Sequence, residues 1–525
     1  MPSSPATAPG PVPEIPPQTP AGAQGSMARS SLWAAVSQVA VLGIQGLAAL
    51  AILLTFGKGA DTDAVLAAYG VYGVLVVMCQ TVRITVVARV LESPTQWAAF
   101  DRFLGAGLSL LVIAGAVQLA FGAPIARLLT GDLGAHAQSV ARSTLAILWI
   151  AVGAQLVAAL GAALLAVRNE FRYPGLSFVA GGVLNIALLL ALSGPIGILS
   201  VATGVAAGSV LSAVAMVAQL HREGYRLAPR RVVAGAREWR TSMLLLVAAM
   251  ATVMTQVNFV VSTAFAAHLG VGAVTLYTTA FFGGAIIIAL TASAAALVLA
   301  APVAQTWDRR PEGLLPHLQT IMRAGLLLIG PAVAVAALVG DDLIDVVLGS
   351  AFSAADGDHA IGAFIGLSGL FVGILAMQLP LLAAYAMARY RAVAVLAMGA
   401  TVVHVAASAV ALELGSIAWL GAAASLSSLT AMALVMGLLH RGGTARALAI
   451  VARETAVVAA ACAVTFGPLA LAAAALGSGV WDLAAAVVGA VAFALAVHVA
   501  LPEHAAVAHR MVGPVLPARM RPATA

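Results

Sequence analysis

Residues 221–240 read HREGYRLAPRRVVAGAREWR, and this stretch decides how the rest of the chain is interpreted. It carries six arginines against two glutamates, and long apolar runs almost free of charge lie on both sides of it. A basic segment between hydrophobic spans is typical of the cytoplasmic face of a membrane protein. The segment also separates two halves that resemble each other, so it predicts both the orientation of the chain and its repeat structure.

The composition of the 525-residue chain predicts a membrane protein. Hydrophobic residues make up 62% and charged residues 9%, whereas a soluble domain carries about 25% charged residues. So little charge would not cover a soluble surface. The net charge of +6 does not indicate a nucleic-acid partner, because the arginines lie in short loops beside apolar spans, where topology and anionic lipid headgroups explain them.

Apolar runs of about 20 residues, the length that crosses a bilayer, recur about fourteen times. Six lie in the first half, six in the second half, and two follow. The predicted spans are 31–56, 64–88, 103–122, 143–166, 176–193, 196–219, 242–268, 273–304, 321–340, 360–385, 393–412, 416–439, 455–476 and 481–501. Cys79 and Cys462 fall inside such runs, so no disulfide framework is predicted.

The predicted fold class is an all-α polytopic membrane protein with two pseudo-symmetric six-helix lobes plus two C-terminal helices. The first residues are rich in Pro, Ala, Gly and Ser and show no hydrophobic period, which is typical of a disordered tail. The predicted division is a tail at 1–28, an N-lobe at 29–220, a basic cytoplasmic linker at 221–240, a C-lobe at 241–440, two further helices at 441–504 and a cytoplasmic tail at 505–525.

The distribution of Lys and Arg predicts the orientation. With the N-terminus inside, only Lys58, Arg127 and Arg142 of the 26 basic residues fall on the outer side. Because orientation follows this bias in short loops, both termini and the 221–240 linker are predicted to be cytoplasmic, in a bacterial cytoplasmic membrane. Five aspartates gather in one predicted outer loop: Asp341, Asp342, Asp345, Asp356 and Asp358.

The two halves align weakly with each other. An offset of 213 pairs Gly57, Gly59, Ala60, Thr62 and Ala67 with Gly270, Gly272, Ala273, Thr275 and Ala280. An offset of 219 pairs Phe171, Arg172 and Asn185 with Tyr390, Arg391 and His404. Six spans per half is an even number, so the halves are predicted to be parallel repeats about an axis along the membrane normal. Such pairs enclose a central site whose access alternates between the two sides.

The sequence shows no motif of an enzyme. The histidines form no HExxH pair, no GxSxG elbow occurs, and the single lysine, Lys58, excludes a P-loop. The prediction is therefore a membrane transporter without cofactor or metal. Transport would draw on an ion gradient, on the membrane potential or on the gradient of the substrate itself.

Polar residues inside spans are costly and therefore informative. Gln38 and Gln45 share a face of the first span, and Gln256 and Asn258 lie early in the seventh. For these four amides, interhelical hydrogen bonding and cavity lining both remain open. Arg83 is the most interior arginine, and it either extends to the cytoplasmic interface or faces a cavity.

The predicted outer turn GKGADTD at residues 57–63 opens the second span. Asp63 near a helix N-terminus suits the helix dipole, and Asp61 or Thr62 would cap that helix; this structural role is favoured. The alternative is a gating or ion-binding role for four residues of the turn: Gly57, Gly59, Asp61 and Asp63.

Two further features predict close packing of helices. GVAAG at residues 204–208 is a GxxxG motif, which lets helices approach each other. Asn185 and His404 hold equivalent positions in the two halves, and a role as packing partners is favoured for both.

Several stretches together resemble one family. They are FGKGADTDAVLAAY from Phe56, ALLAVRNEFRYPGLSFVAGGVLNI from Ala163, QVNFVVSTAFAAHLGVGAVTLY from Gln256, VLGSAFSAADGDHA from Val347 and LLAAYAMARYRAVAVLAM from Leu381. In this order they resemble the MviN/MurJ-type lipid II flippases of the multidrug/oligosaccharidyl-lipid/polysaccharide exporter superfamily. The resemblance runs from about Ser31 to Leu501.

The resemblance implies an alternating-access flippase that moves an undecaprenyl-linked sugar to the outer leaflet. The implied partners are a lipid-linked glycan or another amphipathic substrate, membrane lipids and envelope-synthesis enzymes. The spans at 455–476 and 481–501 would form a groove for the lipid tail. Asp63 matches an acidic residue of the family at the start of the second span.

The chain departs from the family in its arginines. The family carries cavity arginines in the first span and near the start of the eighth, whereas residues 30–57 and 241–308 contain no Lys or Arg here. A pyrophosphate needs cationic donors in a cavity of low dielectric, so the departure favours another lipid-linked glycan. An ion-coupled exporter of small molecules from the same superfamily and a non-transporting scaffold for envelope synthesis are the alternatives.

Overall fold

The computed structural model describes residues 40–41, 43–91, 96–167, 170, 172–226, 236–288, 313–349, 352–387, 389–440, 443–476 and 479–512. The predicted tail at 1–28, Gln38 and residues 227–235 of the predicted linker lie outside these residues. Arg83 lies on a described helix, but its side chain falls outside the described set.

Helices make up almost all of the described chain. They are α1 (Gly43–Phe56), α2 (Ala60–Leu91), α3 (Gln96–Thr130), α4 (Ala135–Val167), α5 (Arg172–Ile196), α6 (Leu199–Arg222), α7 (Ala236–Ala266), α8 (Ala273–Ile288), α9 (Leu314–Leu348), α10 (Ala354–Gly366), α11 (Ser368–Ala386), α12 (Tyr390–Glu413), α13 (Ile417–Leu439), α14 (Thr444–Leu476), α15 (Val480–Ala500) and α16 (Pro502–Val512). The prediction of an all-α fold is confirmed.

The helices reproduce the predicted order of spans. Within the described residues, eleven segments are long and apolar enough to cross a membrane, and three shorter apolar helices lie at Gly43–Phe56, Val253–Ala266 and Ala273–Ile288. Each of the fourteen predicted spans coincides with one of these segments, and α10 and α11 together form a single span. The chain is therefore a multi-pass membrane protein.

Several predicted bounds were too narrow. The span predicted at 103–122 lies inside α3, which continues past a kink at Phe121 to Thr130. Pro124 follows the kink and lacks the N–H that an unbroken helix would use, which gives the bend a physical cause. The tail predicted at 505–525 begins instead as α16, an amphipathic helix.

The first half packs around α4, which lies against both α2 and α6. Leucines of α4 and Met216 and Leu220 of α6 form its buried core. Next to this core, α5 and α6 lie unusually close, because a Cβ added to Gly208 would lie 2.3 Å from the carbonyl oxygen of Gly181. The predicted role of the GxxxG motif in close packing is confirmed by this contact.

The second half repeats this arrangement with different residues. In it, α12 packs on α13, and Ser427 Oγ donates a hydrogen bond of 2.9 Å to the Ala400 carbonyl oxygen. The offset of 219 places Ser427 at the position of Gly208 and Ala400 at that of Gly181. The same pair of positions therefore joins the two helices in each half.

At one end of the second half, a buried polar cluster holds α16 against the bundle. Glu454 of α14 accepts a hydrogen bond of 2.7 Å from Gln319 Nε2 and one of 3.2 Å from Arg323 Nε, both on α9. His504 of α16 lies 3.1 Å from the same carboxylate, and Arg323 also contacts Glu503. Burial, opposed by Glu454, lowers the pKa of His504 below its usual range.

The halves meet along α2, α3, α7 and α8. A Cβ added to Gly70 of α2 would lie 3.1 Å from the ring of Phe259 on α7, so this contact is close. The turns that follow α1, α3, α7 and α9 lie together at one end of the bundle, which we call the Lys58 end. The opposite end, where α6 ends, we call the Arg222 end.

Candidate functional site: the contacts that join the halves at the Lys58 end

Asp63 joins the two halves at the Lys58 end. Its side chain is fully buried in the first turn of α2. One carboxylate oxygen accepts a hydrogen bond of 2.6 Å from the Gly272 amide, and the other accepts from the Thr275 amide at 2.8 Å and from Thr275 Oγ1 at 2.6 Å. All three donors lie at the start of α8. The carboxylate of the first half thus caps a helix of the second half.

The chemistry of a helix N-terminus explains this arrangement. The first amides of a helix have no partner inside it, and the helix dipole favours negative charge there. Gly270 and Gly272, at φ of +119° and +91°, adopt left-handed backbone that turns the chain ahead of α8. The prediction that Asp61 or Thr62 caps α2 is wrong, because α2 already begins at Ala60 and both residues lie inside its first turn.

Lys58 makes a second connection between the halves. Its ammonium group pairs with the carboxylate of Asp356. The same carboxylate accepts from the amide and the hydroxyl of Ser353, at 2.8 and 2.6 Å, and so caps α10. The stem of Lys58 passes over Gly272, where an added Cβ would lie 3.4 Å from Lys58 Cδ. The ion pair therefore lies directly beside the Asp63 contact.

A third connection is more exposed. His268, in the turn after α7, lies 3.0 Å from a carboxylate oxygen of Asp132, in the turn after α3. The ring of His268 also lies against Gly131, whose φ is +48°. Asp61, in contrast, lies 3.4 Å from His136 of α4, so its contact stays within the first half.

Aromatic side chains continue the contact below these polar groups. Tyr69 of α2 meets Phe282 of α8 edge to face, with ring centroids 6.4 Å apart. Phe259 of α7 packs on Phe281 at 4.3 Å and on Phe282 at 5.9 Å. The described side chains therefore bring the halves together with a buried carboxylate, an ion pair and an apolar layer at the Lys58 end.

The comparisons with known proteins fit this architecture. A family model described as "Lipid II flippase MurJ" matches residues 95–489. The chain belongs to the MurJ family. It is accordingly a flippase-type membrane transporter and not an enzyme. No curated protein matches it by sequence.

Solved structures show the same fold at low sequence identity. The chain is similar to the lipid II flippase MurJ in an inward closed conformation, with a TM-score of 0.71 and 14% identity over 92% of this chain and 99% of that chain. It is also similar to a multidrug resistance transporter of the MATE family in an inward-facing conformation, with a TM-score of 0.61 and 16% identity over 79% and 98%.

The structure separates the two amides of α7 that the sequence treated alike. Gln256 faces the first half, where a Cβ on Gly73 would lie 3.4 Å from its Oε1. Asn258 faces the interior of the second half of this MurJ-family chain, and its Nδ2 donates a hydrogen bond of 3.0 Å to Ser427 Oγ. Gln45 is exposed on α1. The roles of these amides in substrate binding remain predictions.

The sequence reasoning missed the partners of Asp63 and Lys58. A usable signal was present, because the offset of 213 aligns the turn at 57–63 with the turn at 270–276. Equivalent elements of two related halves can meet at the axis that relates them. The contact of Asp63 with Gly272 and Thr275 is a meeting of this kind.

Proposed function

We propose that this MurJ-family chain moves a lipid-linked glycan across the cytoplasmic membrane by alternating access, with the contacts at the Lys58 end as its outer gate. The observation that carries the proposal is the buried Asp63 carboxylate, which belongs to one half and binds the start of α8 in the other. The asymmetry of basic residues supports placing the Lys58 end outside and both termini inside. The gate would include Gly57, Gly59, Lys58 and Asp63.

The gate is suited to reversible opening. A hydrogen bond to a charged group contributes about 1.5–3 kcal/mol. When the gate opens and Asp63 is exposed, hydrogen bonds from water would offset part of this loss. Alternating access requires that the free energies of the inward-open and outward-open states differ by only a few kcal/mol, so that substrate binding can shift their populations. The polar contacts of the gate meet this requirement, because each adds only a few kcal/mol to the apolar layer beneath them.

The cavity residues support a head group other than the pyrophosphate of lipid II. The family carries arginines in the first span and near the start of the eighth, whereas residues 30–57 and 241–308 of this chain contain neither Lys nor Arg and offer the amides Gln38 and Gln45 in the first span and Gln256 and Asn258 in the seventh. Amides donate and accept hydrogen bonds with sugar hydroxyls but do not offset two phosphate charges. The proposed substrate is therefore another lipid-linked glycan, with its apolar tail along α14 and α15. Those helices expose apolar residues such as Val464, Leu471 and Val491.

Two experiments test this function together. Depletion of the protein, followed by analysis of lipid-linked intermediates, should show accumulation of one lipid-linked glycan on the cytoplasmic side. Expression in a conditional lipid II flippase mutant, with membrane insertion confirmed, should fail to restore growth. Sustained growth with normal peptidoglycan synthesis would instead make lipid II the substrate. If no lipid-linked intermediate accumulates on depletion, the function would instead be export of small molecules or a non-transporting scaffold role in envelope synthesis.

A further inference from the structure

A buried histidine lies at the centre of the second half. His404 of α12 has no exposed surface. Its Nε2 lies 2.9 Å from the Asn258 carbonyl oxygen and 3.0 Å from Ser262 Oγ, both on α7. A carbonyl oxygen only accepts hydrogen bonds, so Nε2 carries the proton. Nδ1 then holds a lone pair, and it has no hydrogen-bond partner.

A second acceptor faces the ring from another helix. The backbone carbonyl of Ala423, on α13, lies beside the imidazole, although Nδ1 is not hydrogen-bonded in this arrangement. A protonated ring has two N–H donors. A protonated His404 would therefore have a carbonyl acceptor for each of its two N–H groups, one on α7 and one on α13. In this structure only the hydrogen bond to α7 is formed.

The surroundings supply no fixed charge to this ring. Among the described residues of α7, α8, α12 and α13, no Asp, Glu, Lys or Arg contacts it. The titratable group that faces the same cluster is the hydroxyl of Tyr277 on α8, which lies beside Ser262. A small cavity borders the cluster, and its mostly apolar lining includes the polar side chains of Asn258, Ser427 and Ser428.

The position of α7 connects this ring to the gate. Asn258 and Ser262 of α7 bond to His404, and the neighbouring Phe259 packs against Gly70 of α2. Its last turn leads to His268 and then to Gly272, which donates to Asp63. A shift of α7 at His404 therefore moves residues that hold the halves together.

We propose that the coupling ion of this transporter is a proton, bound at Nδ1 of His404. The proposal rests on the proposed alternating-access function and names its energy source. A hydronium ion on the side to which the site opens transfers its proton to the Nδ1 lone pair, and this N–H bond breaks when water on the other side accepts the proton. A buried N–H without an acceptor is costly. Protonation thus favours a rearrangement in which Nδ1–H reaches the Ala423 carbonyl or water, and the resulting shift of α7 opens the gate.

The test measures the gate directly in the full chain, in lipid nanodiscs. Nitroxide labels on cysteines at Ser139 of α4 and Asp358 of α10 report the distance between the halves, because both residues are exposed and neither belongs to the gate contacts. The buried Cys79 and Cys462 are replaced by alanine. His136, His268 and His359 are replaced by glutamine, so that no histidine of the described residues remains at the Lys58 end.

The expected result is a loss of the short-distance population as the pH falls from about 8.5 to 5, the range in which histidine titrates. One proton that binds one state better shifts the population ratio by up to about tenfold per pH unit. His404→Asn, which places the residue of Asn185 at the equivalent position, should abolish this dependence. His440→Asn, near the Arg222 end, is the matched control and should retain it.

Two outcomes overturn the proposal. One is a pH-independent distance distribution in the chain that keeps His404, a measurement that needs no substitution of the buried ring. The other is an unchanged pH dependence in a folded His404→Asn variant. Asp63→Asn in the same assay tests the gate by itself. If Asp63→Asn opens the gate while pH has no effect, only the proton is refuted; if the distance never changes, the gate is refuted.

Discussion

The two halves solve the same packing problem in different ways. Between α5 and α6, Gly208 lies against the backbone of Gly181, with no room for a side chain. Between α12 and α13, the equivalent Ser427 and Ala400 are joined by a hydrogen bond. At the next pair of equivalent positions, the first half has Asn185 and the second half has the titratable His404. The first half is therefore built for a fixed contact and the second for one that can change.

The largest expected effect is on the free energy of unfolding, when alanine is placed at this contact in each half in turn. Gly208→Ala adds a Cβ 2.3 Å from a backbone oxygen, and such overpacking costs about 3 kcal/mol. Ser427→Ala removes two hydrogen bonds, the one donated to the Ala400 carbonyl and the one accepted from Asn258 Nδ2, at a cost of about 1 kcal/mol each. Thermal unfolding of the two purified proteins in detergent should show a clearly larger loss for Gly208→Ala. Equal losses would mean that the first half is as adaptable as the second.

The next prediction concerns the place where the halves meet. Asp63→Asn keeps one acceptor but removes the charge and one of the oxygens that bind the start of α8. Because hydrogen bonds to charged groups contribute about 1.5–3 kcal/mol, the closed population should fall by at least tenfold. Disulfide trapping between cysteines introduced on the two sides of the gate measures that population.

Asp61→Asn is the matched control for Asp63→Asn. Asp61 lies two residues earlier on the same helix, and its partner His136 belongs to the same half. Trapping should therefore stay at the level of the unsubstituted protein. A similar decrease in both variants would show that the charge of the turn, and not the contact between halves, closes the gate.

The smallest effect is expected for the ion pair. Lys58 is 37% exposed, and exposed ion pairs contribute about 0–1 kcal/mol. Lys58→Gln should reduce the closed population by no more than about fivefold, and Arg127→Gln, on an exposed part of α3, should leave it unchanged. A larger effect than that of Asp63→Asn would reverse the ranking of the two contacts.

Lys58 also allows opening of the gate to be followed without introducing a residue for labelling. It is the single lysine of the chain, so amine-reactive labelling of a side chain can occur only there. Labelling at constant pH should be faster in the Asp63→Asn protein, because opening separates Lys58 from Asp356. Equal rates would show that the ion pair persists when the Asp63 contact is lost.

Much of the fold follows from local pattern. Long apolar runs have one low-energy solution in lipid, the helix, because all backbone groups must be paired within the segment. That is why the order of fourteen spans was correct while bounds such as 103–122 were not. Helix ends such as that of α3 extend beyond the apolar run, and hydropathy contains no signal for them. The amphipathic α16 was missed because its polar face resembles a tail.

The candidate site was only half predictable. The sequence singled out Asp63 and the glycines of its turn, and the offset of 213 aligned that turn with Gly272 and Thr275. It did not predict that the two turns touch, so Asp63 was assigned to its own helix. It also grouped Gln256 with Asn258, although the structure directs them to opposite faces of α7.

The sequence by itself determined the class of protein, the number of spans, the repeat and the family. These properties depend on composition, on periodicity and on motifs that lie close together along the chain. The tertiary structure alone decided which carboxylate binds which helix, that Lys58 meets Asp356 some 300 residues away, and that His404 has one ring nitrogen without a partner. Such contacts depend on how separate helices pack, and the residues of one helix do not specify which residue of another helix they will meet.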